Sequence, residues 1–162
     1  MLIIADLDDT LIDTKNLKPL RDNRRWKDVY NNFDKTYLCP NVKEKFEGLL
    51  DNYKIVIVTS SPKYYAKNLL KYHNFLTNCT IIAYHDTKNH KPHPEPYVKA
   101  LNTIGGNHNN IFVFGDAEKD IIPALDLGFI TIGVEWYVKY NGNVSPHYLI
   151  NHPEEIDKIL RG

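Results

Sequence analysis

The stretch LIIADLDDT, residues 2–10, decides the fold. Residues 2–5 are a short apolar run without helical period, which is typical of a buried strand. In a strand, residues i and i+2 point to the same side, so Asp6 and Asp8 are expected to project together from its carboxyl end. Two carboxylates held that close repel each other unless a cation lies between them. Mg²⁺ prefers such oxygens together with water and a substrate phosphate. Taken alone, the pair fits a solvated strand end equally well.

Four more apolar runs follow the first, with helical patterns between them. The runs cover residues 55–58, 81–84, 111–114 and 130–134. Continuous β-branched runs suit strands that are buried on both faces. The helical patterns cover residues 42–50, 62–72, 96–104, 117–127 and 153–160. This alternation predicts an α/β, Rossmann-like fold with a doubly wound, mostly parallel sheet of about five strands and helices on both faces. We expect residues 1–162 to form a single domain.

Residues 11–40 interrupt the alternation and are too long for an ordinary loop. We interpret them as a small insert after the first strand, partly helical and locally basic. The basic residues could form a solvated amphipathic helix, or the insert could be a short cap that contacts an anionic substrate. Arginine forms paired contacts with phosphate, and tryptophan offers a stacking face. The candidate substrate-binding residues are Arg21, Arg24, Arg25 and Trp26.

The composition excludes several classes of protein. The formal net charge is zero, so the whole chain has no strong attraction to nucleic acid or to a membrane surface. No apolar run approaches the length of a membrane span, and Met1 leads directly into a core strand. The two cysteines, Cys39 and Cys79, are far apart in sequence and are interpreted as small core residues. A cytoplasmic protein is the expectation.

Such sheets bind ligands at the carboxyl ends of their strands. Polar groups also follow the second and the fourth predicted strands. Residues 59–61 (TSS) carry hydroxyl groups at the start of a helix, where free N–H groups favour anions. Residues 115–120 (GDAEKD) add Asp116 and Asp120, and Lys91 lies in a proline-containing loop between the third and fourth predicted strands. Carboxylates, hydroxyl groups and one lysine around a phosphate and a cation are the outline of a phosphoryl-transfer site.

These residues resemble the four signatures of the haloacid dehalogenase superfamily, specifically its phosphatases. Residues 6–11 (DLDDTL) are similar to the nucleophile motif, and residues 55–59 (IVIVT) to the strand that ends in a hydroxyl. Lys91-Pro92 is similar to the lysine motif of the phosphoglycolate phosphatase-like branch, and residues 115–120 to the acidic motif. The four occur in the family's order, which makes the signal far more specific than any one of them.

The resemblance implies which residues carry the chemistry. Asp6 would attack phosphorus and form an aspartyl-phosphate, and Asp8 would protonate the leaving oxygen and then activate water. Lys91 would neutralise charge on Asp6 and on the phosphoryl group. Thr59 and the backbone N–H of Ser60 would bind phosphate oxygens.

The resemblance also implies a Mg²⁺ site. The ion would be held by the carboxylate of Asp6, the backbone carbonyl of Asp8 and Asp116. Asp120 would orient the metal's waters or Lys91. Asp9 and Thr10 are interpreted as residues that shape the turn after the first strand.

The resulting hypothesis is a Mg²⁺-dependent phosphatase that hydrolyses phosphomonoesters of small metabolites or nucleotides. One alternative is a phosphatase that acts on nucleotides or nucleic-acid ends. Another, from a different class, is a phosphate-binding module without turnover. Specificity depends on the insert and the rim rather than on the fold, so the sequence does not identify the substrate. Nothing in it indicates an oligomeric state.

Overall fold

Six short strands form one sheet in the computed structural model, which describes residues 1–161. They are β1 (Leu2–Ala5), β2 (Lys54–Val58), β3 (Thr80–Ile82), β4 (Ile111–Gly115), β5 (Ile130–Val134) and β6 (Tyr148–Ile150). All neighbouring strands are parallel, in the order β3-β2-β1-β4-β5-β6. The predicted α/β class with a doubly wound parallel sheet is confirmed.

Helices cover both faces of this sheet, as predicted. They are α1 (Lys18–Asp22), α2 (Trp26–Tyr30), α3 (Pro40–Leu49), α4 (Lys63–Tyr72), α5 (Glu95–Ile104), α6 (Glu118–Asp126) and α7 (Ile156–Leu160). Ile3 and Ile57 pack in a core that includes side chains of α3, α4 and α7. Ile4 and Val56 point the other way, into a core shared with α5 and α6. The alternation of side chains along each strand separates the two cores.

Two details of the predicted strands are corrected. The expected count of about five strands missed β6, because this edge strand is only three residues long and its Tyr148 and Leu149 are 46% and 49% exposed. The run at residues 81–84 is a strand only as far as Ile82, and a 3₁₀ turn begins at Tyr84. Tyr84 is 39% exposed, so this aromatic residue lies at the surface and does not continue a buried strand.

The strand order indicates where on the sheet a ligand can bind. The chain moves outward from β1 through β2 to β3, and then returns to the other side of β1 with β4. Ligands bind where the winding direction reverses in this way. Ala5 lies opposite Ile57 of β2 and Phe114 of β4. The residues that follow these three positions therefore leave the sheet close together.

The insert at residues 11–40 packs on the same core as α4. It contains α1 and α2, and an isolated antiparallel bridge between Asp13 and Tyr37 closes it. Leu17, Val29 and Phe33 are buried in the core that also holds α3 and α4. The insert is therefore anchored to the domain. No helix in the described part of the chain has the length and apolar character required to cross a membrane.

Candidate active site

Asp6 and Lys91 form a buried ion pair at the carboxyl end of β1. The Lys91 ammonium lies 2.6 Å from Oδ1 of Asp6 and 2.6 Å from Oδ1 of Asp120, and it donates to the Val58 carbonyl oxygen at 3.0 Å. Burial acts to lower the pKa of Lys91, but the carboxylates of Asp120 and Asp6 outweigh it and raise this pKa well above its usual value. Lys91 is therefore a fixed cation beside two carboxylates that are 85 and 29 residues away in sequence.

Three carboxyl groups converge beside this pair. Asp6, Asp116 and Asp120 each offer an oxygen, and these oxygens lie within 4.8 Å of one another. Asp116 follows β4, and Asp120 lies in the first turn of α6. The close approach of Asp120 requires glycine at position 115, because a Cβ there would lie 2.8 Å from Cγ of Asp120. A residue with a side chain at this position of the acidic motif would therefore clash with Asp120.

The electrostatics of this cluster fit a divalent cation. Burial and repulsion from Asp6 raise the pKa of Asp116 to about 8. Burial and repulsion from Asp120 raise the pKa of Asp6 to about 6, although the Lys91 ammonium acts in the opposite direction. Carboxylate oxygens are the ligands that Mg²⁺ prefers, and its charge would relieve this repulsion. The donor set is thus chemically suited to Mg²⁺.

The raised pKa of Asp116 predicts a pH dependence of folding stability without metal. An aspartate whose pKa is 3.8 in the unfolded chain and about 8 in the folded protein binds more protons in the folded state. Its stabilising contribution is therefore complete below the unfolded pKa and is lost as pH rises toward about 8. The free energy of unfolding of the wild type relative to Asp116→Asn should fall between about pH 4 and 8, as measured by urea unfolding in EDTA. A difference that stays constant or rises with pH would contradict the assignment.

Asp8 lies in a dense set of hydrogen-bond donors, apart from the three clustered carboxylates. Its Oδ2 accepts from the Ser61 hydroxyl at 2.7 Å. Its Oδ1 accepts from the Thr14 hydroxyl at 2.8 Å and from the Tyr65 hydroxyl at 2.7 Å, and Arg21 lies 3.2 Å away. These donors come from the insert, from the end of β2 and from α4, so Asp8 is fixed by three separate parts of the chain.

Thr59 and Ser60 follow β2 at the same edge of the sheet. Thr59 is 4% exposed, and its hydroxyl accepts the backbone N–H of Ser61 at 3.0 Å. Ser60 is half-buried and precedes α4 by three residues. Both residues therefore lie next to the end of β1, which Asp6 follows. That they contact phosphate stays a prediction.

The four candidate residues of the insert separate into two groups. Arg21 lies against Asp8, and Trp26 packs on Tyr65 with ring centroids 5.9 Å apart. Arg25 instead forms an exposed ion pair with Asp28, and Arg24 is exposed. Of the three predicted arginines, the structure brings Arg21 into contact with a carboxylate of the site.

Three residues that contact the site were not predicted to do so: Thr10, Tyr97 and Trp136. Thr10, interpreted as a turn residue, donates its hydroxyl to Asp116 at 3.0 Å, and the Trp136 indole N–H donates to the Thr10 carbonyl at 2.7 Å. Tyr97 donates its hydroxyl to the Asp120 carbonyl at 3.1 Å. These bonds join residues 23 to 126 positions apart, so no local pattern reveals them.

Similarity to known proteins extends over most of the chain. The profile of the haloacid dehalogenase-like hydrolases matches residues 18–134. A candidate PpaX pyrophosphatase of Caldanaerobacter subterraneus is 30% identical over 152 residues, which is 90% of this chain and 67% of that protein. The pyrophosphatase PpaX of Oceanobacillus iheyensis is 32% identical over 84 residues, which is 50% of this chain and 39% of that protein. Several further relatives named PpaX are matched over 52% of their length.

Solved structures share the fold. A candidate phosphoglycolate phosphatase of Haemophilus somnus superimposes with a TM-score of 0.80 at 21% identity, covering 98% of this chain and 97% of that one. A second, from Lactobacillus plantarum, gives a TM-score of 0.84 at 17% identity and covers 98% of each chain. At such identities the likeness concerns the fold alone. Together with the sequence matches, it confirms the resemblance: the chain belongs to the haloacid dehalogenase-like hydrolase family.

Proposed function

We propose that this hydrolase is a Mg²⁺-dependent phosphatase that forms an aspartyl-phosphate on Asp6. The observation that carries the proposal is the buried contact between Asp6 and Lys91, beside a convergent group of carboxylates at the switch point of the sheet. A structural ion pair alone would not require two further carboxylates within reach of the same point. A phosphoryl-transfer site does require such a concentration of opposite charges.

In the proposed reaction, an Asp6 oxygen attacks phosphorus, the new P–O bond forms and the bond to the leaving oxygen breaks. Lys91 contacts Oδ1 of Asp6 at 2.6 Å and fixes the carboxylate in one orientation. That orientation leaves Oδ2 for the attack and places a positive charge beside the phosphoryl group. Thr59 and the backbone N–H of Ser60 would bind the phosphoryl oxygens at the end of β2.

Asp8 is the proposed general acid and base. It gives a proton to the leaving oxygen in the first step, and it removes one from the water that cleaves the aspartyl-phosphate in the second. The bonds from Ser61 and Tyr65 hold its carboxylate in place at 2.7 Å each. The carboxylate that completes the first step is thus already oriented for the second.

The residues proposed to hold Mg²⁺ are Asp6, Asp116 and the backbone carbonyl of Asp8. When bound, the ion would neutralise charge on the phosphoryl group and draw it toward the nucleophile. Asp120 contacts Lys91 and also lies within the carboxylate cluster, so its role is to orient Lys91 and the waters of the metal. Thr10 would fix Asp116 through its hydroxyl bond of 3.0 Å.

The proposed substrate is a small phosphorylated compound. Relatives are named for pyrophosphate, and proteins of the same fold are named for phosphoglycolate. Within a single domain, residues 11–40 would act as a minimal cap, and their packing on α4 places α1 beside Asp8. A nucleotide or nucleic-acid end remains the second substrate class to screen, and salt dependence of binding would identify it.

Removal of the metal tests this proposal. With p-nitrophenyl phosphate as substrate, EDTA should lower turnover by at least about 100-fold, and added Mg²⁺ should restore it. Asp116→Asn should require more Mg²⁺ for half-maximal rate, because one ligand loses its charge. Turnover that is insensitive to EDTA would contradict the metal dependence. Phosphate binding without turnover would instead favour the non-catalytic module.

A further inference from the structure

Arg21 is held rigidly beside Asp8 by the insert. It lies in α1, and its side chain is 15% exposed. One terminal nitrogen lies 3.2 Å from Oδ1 of Asp8, and the other donates to the Thr14 hydroxyl at 3.1 Å. The guanidinium carbon is 5.8 Å from the centroid of the Tyr65 ring. A side chain with this many contacts is oriented before any substrate arrives.

The guanidinium retains hydrogen-bonding capacity. Its Nε is buried and has no hydrogen-bond partner among the described residues. The oxygen of Asp8 that faces it also accepts from Thr14 and Tyr65, so Arg21 shares that acceptor with two hydroxyl groups. An unpaired buried donor is costly, and native structures pair nearly all of them. Because Nε itself is inaccessible, an additional acceptor would be bound by the second N–H groups of the two terminal nitrogens, which contact Asp8 and Thr14 through the first.

Two cationic side chains contact two different aspartates after β1. Lys91 contacts Asp6, which we propose as the nucleophile, whereas Arg21 contacts Asp8, the proposed proton donor to the leaving oxygen. A group that contacts Asp8 is next to the leaving part of the substrate. Arg21 is thus placed to recognise what is released, while Lys91 is placed at the phosphoryl group that is transferred.

From this placement, and resting on the proposed function, we propose that Arg21 is a specificity-determining residue that binds a second anionic group on the leaving part of the substrate. The substrate class is a phosphomonoester or diphosphate whose leaving group carries a carboxylate or phosphoryl group near the scissile oxygen. Arginine suits this role because its planar fork binds such groups with two parallel hydrogen bonds.

Matched substrates test the inference on the full chain with Mg²⁺. In the first pair, phosphoglycolate has a carboxylate where 2-hydroxyethyl phosphate has a neutral hydroxymethyl group. In the second pair, pyrophosphate has a charged phosphoryl group where methyl phosphate has a methyl group. The wild type should prefer the charged member of each pair in kcat/KM. Arg21→Gln should reduce that preference by about 10- to 100-fold, the loss expected for hydrogen bonds to a charged group. Lys27→Gln removes the same charge from an exposed position of the insert and should preserve the preference.

The outcomes separate the inference from the proposed function. Equal losses for charged and neutral substrates would mean that Arg21 acts only through Asp8, and they would overturn the inference. Turnover of p-nitrophenyl phosphate by a wild type that shows no preference within either pair would also overturn it, while the phosphatase proposal would stand. Absence of turnover with every substrate would contradict both.

A binding measurement guards against a folding defect in Arg21→Gln. In the Asp6→Asn background, calorimetry should show tighter binding of phosphoglycolate than of 2-hydroxyethyl phosphate, and Arg21→Gln should abolish the difference. Arg21→Lys keeps the charge but loses the paired geometry, so an intermediate preference is expected. A difference in affinity that survives in both variants would overturn the inference.

Discussion

Asp6→Asn is expected to lower phosphatase turnover by more than about 10⁴-fold, the order of loss found when the nucleophile of a hydrolase is removed. The amide cannot attack phosphorus as a carboxylate does, yet it has nearly the same shape. Asp6 is only 5% exposed, and its partner Lys91 also contacts Asp120, so the ammonium keeps one carboxylate in the variant. The fold should therefore survive the substitution.

The comparison for Asp6→Asn is Asp34→Asn, which removes an acid from an exposed position of the insert. Both variants should give wild-type circular dichroism, and Asp34→Asn should retain wild-type kcat with p-nitrophenyl phosphate. If Asp6→Asn kept a rate within tenfold of the wild type, Asp6 would not be the nucleophile.

Lys91→Met is expected to damage both activity and stability. Removal of one partner from a buried ion pair leaves an uncompensated charge and costs about 3–5 kcal/mol. Here Asp6 and Asp120 would both lose the ammonium that lies 2.6 Å from each. Turnover should fall by about 10³-fold, because the charge beside the nucleophile is worth several kcal/mol in a dry site. Urea unfolding and steady-state kinetics measure the two effects.

A second substitution separates these two roles of Lys91. In Lys91→Met/Asp120→Asn one of the unpaired carboxylates is neutral, so stability should recover in part while turnover stays low. Lys88→Met, three residues away and exposed, is the matched control and should behave like the wild type. Equal unfolding free energies for Lys91→Met and Lys88→Met would show that the buried pair does not stabilise the fold.

Much of the fold could be predicted because the buried strands correspond to continuous apolar runs in the sequence. The runs at residues 2–5 and 130–134 have the predicted bounds, since strands covered on both faces tolerate few polar residues. β6 could not be predicted in this way. It pairs with β5 at the edge of the sheet, so only Ile150 is buried and the run is too short to stand out.

The site could be predicted where its residues follow strands or belong to one of the four family motifs, as Lys91 and Asp120 do. Asp6 and Asp116 leave β1 and β4, which are adjacent, so topology alone brings them together. The partners of Asp8 depend instead on how the insert folds. Arg21 reaches Asp8 because α1 packs against the core, whereas Arg25 lies on the exposed side beside Asp28. A basic stretch in a sequence does not show which of its charges faces the site.

The most direct test of the proposed chemistry is to find the phosphoryl group on Asp6. Enzyme turning over p-nitrophenyl phosphate with Mg²⁺ would be quenched in acid, digested and analysed by mass spectrometry. We expect one phosphoryl group on Asp6 in the wild type, more of it in Asp8→Asn because water attack is slowed, and none in Asp6→Asn. Turnover without any phosphorylated Asp6 in the wild type and Asp8→Asn, or a phosphoryl group on another residue, would contradict the aspartyl-phosphate mechanism.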